Sequence, residues 1–233
     1  MNDRKEQAFD YAHDTKHFYS DEVAADYHRA LTEIGGLRGF RVRLVADRER
    51  ALVRRFVLRV PHRTVLDIPA GTGKLAPLFK ESGSAVTACD ISESMLAIGR
   101  SVYKAAGHAQ VEFRTCDAEQ INSTLGRHFD LAVCLRLLHR VPWEVKERVL
   151  AELARVADHV VLSAGVDSPY HRLRRTVRGA LLGGDPRALG AEPIAALRRL
   201  IGHYFHIVDF ARVLPVLSQE VVFLLRPLSK NGK

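Results

Sequence analysis

Three aspartates, Asp67, Asp90 and Asp117, each follow a short run with strand character, and two glycines follow the first of them closely. Residues 64–75 read T-V-L-D-I-P-A-G-T-G-K-L. The β-branched and aliphatic start predicts a buried parallel strand, and Gly71 and Gly73 allow a sharp turn and a close backbone approach to a ligand where a Cβ would clash. Residues 74–80 predict a helix, so the turn would offer amide N–H groups to an anionic or polar ligand group. Residues 85–89, A-V-T-A-C, predict a second strand ending at Asp90. An acid there, about twenty residues beyond the glycine loop, can accept hydrogen bonds from both hydroxyls of a ribose. Ser92 is placed to cap a helix that runs to about Ala106, before Gly107. A third strand, 111–116, again ends in an acid, Asp117. Carboxylates brought by neighbouring strands to one sheet edge, beside a flexible loop, suit a nucleotide-containing cofactor.

These runs, with C-D-A-E at 116–119 and F-D-L-A-V-C-L-R-L-L-H-R-V-P at 129–142, resemble the class I S-adenosylmethionine-dependent methyltransferases. Within them the likeness is to the small-molecule methylases that include the ubiquinone and menaquinone C-methylases, and it covers about Thr64 to Ser163. It implies an α/β, doubly wound, Rossmann-like fold whose seven-stranded, mostly parallel sheet carries an N-terminal helical cap and a helical insert before the last strands. It further implies S-adenosyl-L-methionine as cofactor, S-adenosyl-L-homocysteine as product, and transfer of a methyl group to O, N or C of a small metabolite. Carried over onto this sequence, the loop Ala70, Gly71, Thr72 and Gly73 would lie against the methionine part, with Asp67 orienting it. Asp90 would hold the ribose hydroxyls, Met95 touch the adenine face, and Asp117 meet the adenine amino group with Ala118 alongside. Ile91, Cys134 and Leu135 complete the expected cofactor-binding set. One departure stands out: Pro69 replaces the family's usual first glycine and has no N–H to donate.

A nicotinamide-dependent oxidoreductase is the main alternative, because Gly71-Thr-Gly73-Lys-Leu-Ala76 also fits G-x-G-x-x-A. Against it, an ionised Asp67 would crowd a pyrophosphate with like charge, whereas it suits a cationic ammonium and sulfonium. Because the sulfonium is already an activated electrophile, the protein mainly has to align the acceptor and exclude water. A general base helps when the acceptor is a hydroxyl or carbon acid, and His139 is the candidate for that catalytic role. Arg136 and His171 are weaker alternatives, as anchors for an acidic acceptor, and Trp143 reads as a packing residue.

The wider chain bounds these readings. It has 233 residues, 47% of them hydrophobic, enough for a real core. No apolar run reaches bilayer length and the first residues lack an apolar signal core, so a cytoplasmic place is expected. Cys89, Cys116 and Cys134 show no metal spacing and read as reduced, buried residues; no metal is implied, since the acids fall singly at strand tips. The expected division is an N-terminal helical cap, 1–60, and a methyltransferase domain, 61–233, with an insert at about 164–192.

In the cap, Phe40, Leu44, Leu52, Phe56 and Val60 recur at multiples of four on a helix, and Tyr11, Tyr19, Tyr27 and His28 would line a lid. Pro193 should open a further helix, and two closing antiparallel strands are expected over 204–214 and 219–225. A formal charge of +8, with Arg41, Arg43, Arg48, Arg50, Arg54, Arg55 and Arg59 on one helix, admits an RNA-directed methyltransferase as a second class. No Asn/Asp-Pro-Pro-Tyr run or Pro-Cys pair supports that class, and a small acceptor, acidic or phosphorylated, remains the favoured partner.

Overall fold

A computed structural model of the chain describes residues 36–108, 110–167, 192–215 and 218–228, with Leu173, Thr176 and Val177 described singly. The expectations for Tyr11, Tyr19, Tyr27, His28 and His171, and for most of the proposed insert, fall outside the described residues.

Strand β1 (Thr64–Asp67) sits at the centre of the parallel strands, between β2 (Ala85–Asp90) and β4 (Phe129–Cys134). Outward lie β3 (Val111–Thr115) beside β2 and β5 (Ala157–Asp167) beside β4. The far edge is antiparallel: β8 (Glu220–Pro227) pairs with β5, and β7 (Phe205–Arg212) with β8. The order is therefore β3-β2-β1-β4-β5-β8-β7, with a two-residue β6 (Glu192–Pro193) on the end of β5. This is the doubly wound, mostly parallel α/β sheet expected, and its topology reverses where β1 meets β4. Ligands bind at such a switch point, outside the carboxyl ends of the strands.

Residues on alternate sides of each strand feed two separate cores. On one face Val65, Val86, Leu131 and Val133 pack under α1 (Gly36–Arg59), α2 (Ala76–Ser82) and Tyr103 of α3 (Glu93–Ala105). On the other, Leu66, Ala132 and Val160 pack under α4 (Ile121–Leu125), α5 (Trp143–Val156) and α6 (Ile194–Gly202). Trp143 packs against this second core and donates its indole N–H to Glu147 Oε1 at 2.9 Å, a structural role.

Three expectations shift. The expected stripe holds only in its second half: Leu52, Phe56 and Val60 are buried, with Val53 and Val57 fully buried beside them, but Phe40 and Leu44 are exposed at 60% and 39%. A 3.6-residue turn makes a strict spacing of four drift around the cylinder. Helix α2 begins at Ala76 rather than at residue 74, because Gly73 N–H bonds to Ala70 O and Ala76 N–H to Gly73 O, winding the chain through turns first. Residues 164–167, assigned to an insert, instead extend β5; Ala164 and Gly165 pair with Val221 and Glu220, and Val166 N–H reaches Gln219 O at 2.7 Å.

Candidate active site

The carboxyl ends of β1, β2 and β4 open into a cavity of about 390 Å³ with predominantly apolar walls. The sequence-derived set largely converges there: Asp67, Ala70, Gly71, Thr72, Asp90, Ile91, Met95, Ala118 and Leu135 all line it. Asp90 is the organising group. Its Oδ2 accepts Gly71 N–H at 2.8 Å and its Oδ1 accepts Ser92 N–H at 2.9 Å, so one carboxylate fixes both the glycine loop and the start of α3. Ser92 in turn caps α3 by accepting Met95 N–H at 3.3 Å. Burial raises the Asp90 pKa above the ordinary carboxylate value, against the pull of these backbone donors. Two donors leave carboxylate lone pairs for further hydroxyls.

The two loop glycines have different duties. A Cβ on Gly73, whose φ is +75°, would meet the Tyr103 ring at 3.0 Å and the Gly99 Cα at 3.2 Å; this glycine lets the loop press against α3. A Cβ on Gly71, φ +53°, would meet nothing within 4 Å. Gly71 therefore borders the open cavity, while Gly73 serves packing and does not line it.

Asp67 is 2% exposed and accepts the Tyr103 hydroxyl at 3.3 Å. Burial, with a smaller push from the Asp90 charge, raises its pKa to about 8. The carboxylate expected to be ionised is thus largely protonated at neutral pH, because the strand tip lies under the loop rather than in water. Thr72 is 2% exposed, and its Oγ1 is a buried polar atom lacking a hydrogen-bond partner. An orphaned hydroxyl in a cavity wall fits a polar ligand that would satisfy it.

Four expected residues do not line the cavity. Cys134 is fully buried in the second core, and burial pushes its thiol up. Asp117 is half-buried, its Oδ1 accepting Glu119 N–H at 3.0 Å, while its neighbours Cys116 and Ala118 line the cavity. Gly73 faces α3, as above. His139 lies in a 3-10 turn (Leu138–Arg140) after β4, with a buried Nδ1 that has no partner. Burial first, then the Arg136 charge, lowers its pKa, so its ring is neutral at physiological pH.

Sequence reasoning missed the contribution of α1. Val42, Ala46, Glu49 and Val53 form one face that runs from the cavity into the core, and Arg43 and Arg50 flank it. The 3.6-residue spacing was present in the sequence, but a buried glutamate interrupts the apolar pattern that would have revealed it. Glu49, 4% exposed, is held by Arg136, whose Nε donates to its two carboxylate oxygens at 3.0 and 3.3 Å and whose Nη2 also donates. Burial opposes the charge on Glu49, yet hydrogen bonds from Arg136 and Glu220 together hold its pKa below the usual value. Arg136 itself adopts φ 60°, a left-handed backbone uncommon outside glycine, with its N–H bonded to Ser163 Oγ at 2.8 Å. Lys74 and Arg140 complete the polar lining.

Residues 65–159 match the family model described as a methyltransferase domain. Over 80 residues the chain is 36% identical to a ubiquinone biosynthesis O-methyltransferase of Pseudomonas paraeruginosa, covering 34% of each protein. Over 106 residues it is 30% identical to the protein of that name from Nitrosospira multiformis, covering 45% of this chain and 44% of that one. The matches thus span about a third to under a half of these relatives' length. Among solved structures, magnesium protoporphyrin IX methyltransferase from Synechocystis PCC 6803 with bound SAH has a TM-score of 0.77 at 21% identity, covering 93% of this chain and 99% of that one. A Burkholderia thailandensis 1,6-didemethyltoxoflavin-N1-methyltransferase, bound to its substrate and S-adenosylhomocysteine, scores 0.62 at 20% identity, covering 88% and 84%. These structural likenesses bear out the fold. The resemblance to class I S-adenosylmethionine-dependent methyltransferases read from the motifs holds over the matched segment.

Proposed function

We propose that the chain is an S-adenosylmethionine-dependent methyltransferase acting on O, N or C of a small-molecule acceptor. The observation that carries this reading is Asp90 at the β2 tip, clamping the Gly71 amide while keeping lone pairs for ribose hydroxyls. The orphaned Thr72 Oγ1 beside it and the open space over Gly71 fit the same cofactor. In this reading Ile91, Met95 and Ala118 form the apolar seat for adenine, Asp117 stands at its edge, and Asp67 faces the cationic methionine end.

When bound, the sulfonium supplies an electrophilic methyl group, and S-adenosylhomocysteine is the leaving product. The protein's own part is to hold the acceptor in line, keep water out with the apolar wall, and take a proton where the acceptor carries one. His139, adjacent to the cavity-lining Arg140 and neutral at physiological pH, is the proposed proton acceptor. Helix α1, the described part of the proposed N-terminal cap (residues 1–60), borders the cavity and in this reading helps select the acceptor.

The arginine-rich helix supports a small acceptor over RNA, because its charges are partly answered within the fold. Arg54 pairs with Glu81, and Arg55 and Arg59 with Asp209. Among the described residues no helix is long and apolar enough to cross a membrane, and the three cysteines are free thiols; the proposed place is the cytoplasm. Calorimetric titration with S-adenosylhomocysteine and, separately, with NAD tests the function: micromolar binding of the former supports it, and binding of NAD alone reverses it.

A further inference from the structure

The sheet order divides the cavity. The tips of β2 and β3 stand on one side of the β1 loop, whereas β4 and α1 stand on the other. The first side presents Asp90 among apolar groups. The second holds two acids in contact. Glu49 lines the cavity from α1, while Glu220, the first residue of β8 and paired across the sheet with Gly165, does not line it but hydrogen-bonds to Glu49. Two carboxylates cannot hydrogen-bond to each other, because neither has a donor, so one of these acids keeps its proton. Arg136 donates to both oxygens of Glu49, which makes Glu49 the ionised partner and Glu220 the donor. The remaining Oε2 of Glu220 is buried and has no hydrogen-bond partner among the described residues, a setting that suits a neutral acid better than a charged one.

The groups that face this pair are few. Arg136 and Arg140, after β4, bear on Glu220, and Arg136 and His139 bear on Glu49. Burial first, then the hydrogen bond to Glu49 and its charge, raises the Glu220 pKa to about 8, against the pull of the two arginines. The field of Glu49 also reaches the glycine loop: burial and the Arg136 charge lower the Lys74 ammonium, and Glu49 opposes them. Lys74 directly follows Gly73, at the end of the loop assigned to the methionine part of the cofactor. That part differs between substrate and product. S-adenosylmethionine carries one net positive charge, on its sulfonium, whereas S-adenosylhomocysteine is neutral overall. A positive charge entering a low-dielectric cleft favours ionisation of an acid beside it.

Resting on the methyltransferase reading, we propose that the Glu49–Glu220 pair tells the charged cofactor from its demethylated product, giving up its shared proton when the sulfonium arrives and recovering one when the methyl group has left. In the transfer the acceptor atom bonds to the methyl carbon and the electron pair of the broken carbon–sulfur bond stays on sulfur. A proton, from the acceptor by way of His139 or from water, then returns to the pair. The ionised pair favours the substrate and the reprotonated pair favours release of the product.

The test is calorimetric titration of the full chain at pH 7.5 with S-adenosylmethionine and with S-adenosylhomocysteine, each in two buffers of different ionisation enthalpy, which counts the protons exchanged. Asp67 and the ligand amines exchange protons on their own account, so the parent is compared with Glu220→Gln, whose amide can still donate to Glu49 but cannot ionise. If the sulfonium makes the pair tenfold more acidic, the parent should release roughly half a proton more than Glu220→Gln on binding S-adenosylmethionine, with no such difference for S-adenosylhomocysteine. The preference for S-adenosylmethionine over S-adenosylhomocysteine should fall about threefold in Glu220→Gln. Should Glu220→Gln fail to fold, infrared difference spectra of Asp67→Asn serve: S-adenosylmethionine should remove the C=O band of a protonated acid that S-adenosylhomocysteine leaves in place. Proton release and preference that are the same in parent and Glu220→Gln, or an acid band that S-adenosylmethionine leaves unchanged, overturn the proposal; with both ligands bound, the methyltransferase reading then stands. Failure of both ligands to bind at millimolar concentration overturns that reading and the proposal with it.

Discussion

The two sides of the cavity are built on opposite plans. On the β2/β3 side a single acid, Asp90, has its oxygens tied to backbone amides within one compact strand–helix unit. On the α1/β4 side, charged groups come from elements far apart in the chain, and Glu49 and Arg136 meet across 87 residues of sequence. The first plan fixes one shape and suits a constant ligand part. The second depends on how a helix outside the parallel strands happens to pack, so it can change without disturbing the cofactor loop. Local anchoring by backbone donors gives rigidity; long-range side-chain pairing gives a surface that can be retuned.

The largest expected effect falls on the rigid side. Asp90→Ala removes both the loop clamp and the acceptor for ribose hydroxyls; at roughly 1.5–3 kcal/mol per hydrogen bond to a charged group, S-adenosylhomocysteine affinity should drop on the order of 100-fold. An affinity within threefold of the parent would erase the contrast between the two sides. Glu49→Ala tests the other plan. It leaves Arg136, one-third exposed at 31%, without its partner, and the cost should be about 2–3 kcal/mol in denaturant unfolding, below that of a fully buried pair.

Gly73→Ala should cost about 1–3 kcal/mol, because it combines a left-handed backbone with a contact at 3.0 Å on Tyr103. Gly71→Ala, with free space above it, should lose less stability but should weaken cofactor binding more. Comparing melting temperature with affinity in the two variants separates the packing glycine from the ligand-facing one.

A smaller, pH-dependent effect belongs to Asp67. Its folded pKa, raised to about 8, means that folding favours the protonated acid; that stabilising preference is full below the ordinary carboxylate value and is lost as pH rises through 8. A cationic ligand end favours the ionised form, so S-adenosylhomocysteine affinity should rise between pH 6 and 8, and titration at several pH values should show proton release. Asp67→Asn should abolish that slope, match the parent's stability best below about pH 4, and exceed it progressively as pH rises towards 8. The least effect is expected at Arg54→Ala, whose pair with Glu81 is solvent-exposed on the outer face of α1; melting temperature and cofactor affinity should match the parent.

The cofactor half was legible because its determinants are local. Strand, turn and helix cap lie within about 30 residues of one another in a βαβ unit, where residue type and spacing report directly on geometry. Sequence by itself therefore determined the parallel sheet, the loop that contains Gly71, the acid Asp90 at the β2 tip and the Ser92 cap. Tertiary packing decided the rest. It buried Asp67 deeply enough to hold its proton, turned Cys134 into the core, left His139 beside rather than among the cavity-lining residues and rotated Phe40 and Leu44 outward. It also carried Glu49 of α1 to Arg136 beyond β4. Burial and charge pairing depend on which distant segments come to lie side by side, and spacing along one strand or helix does not encode that.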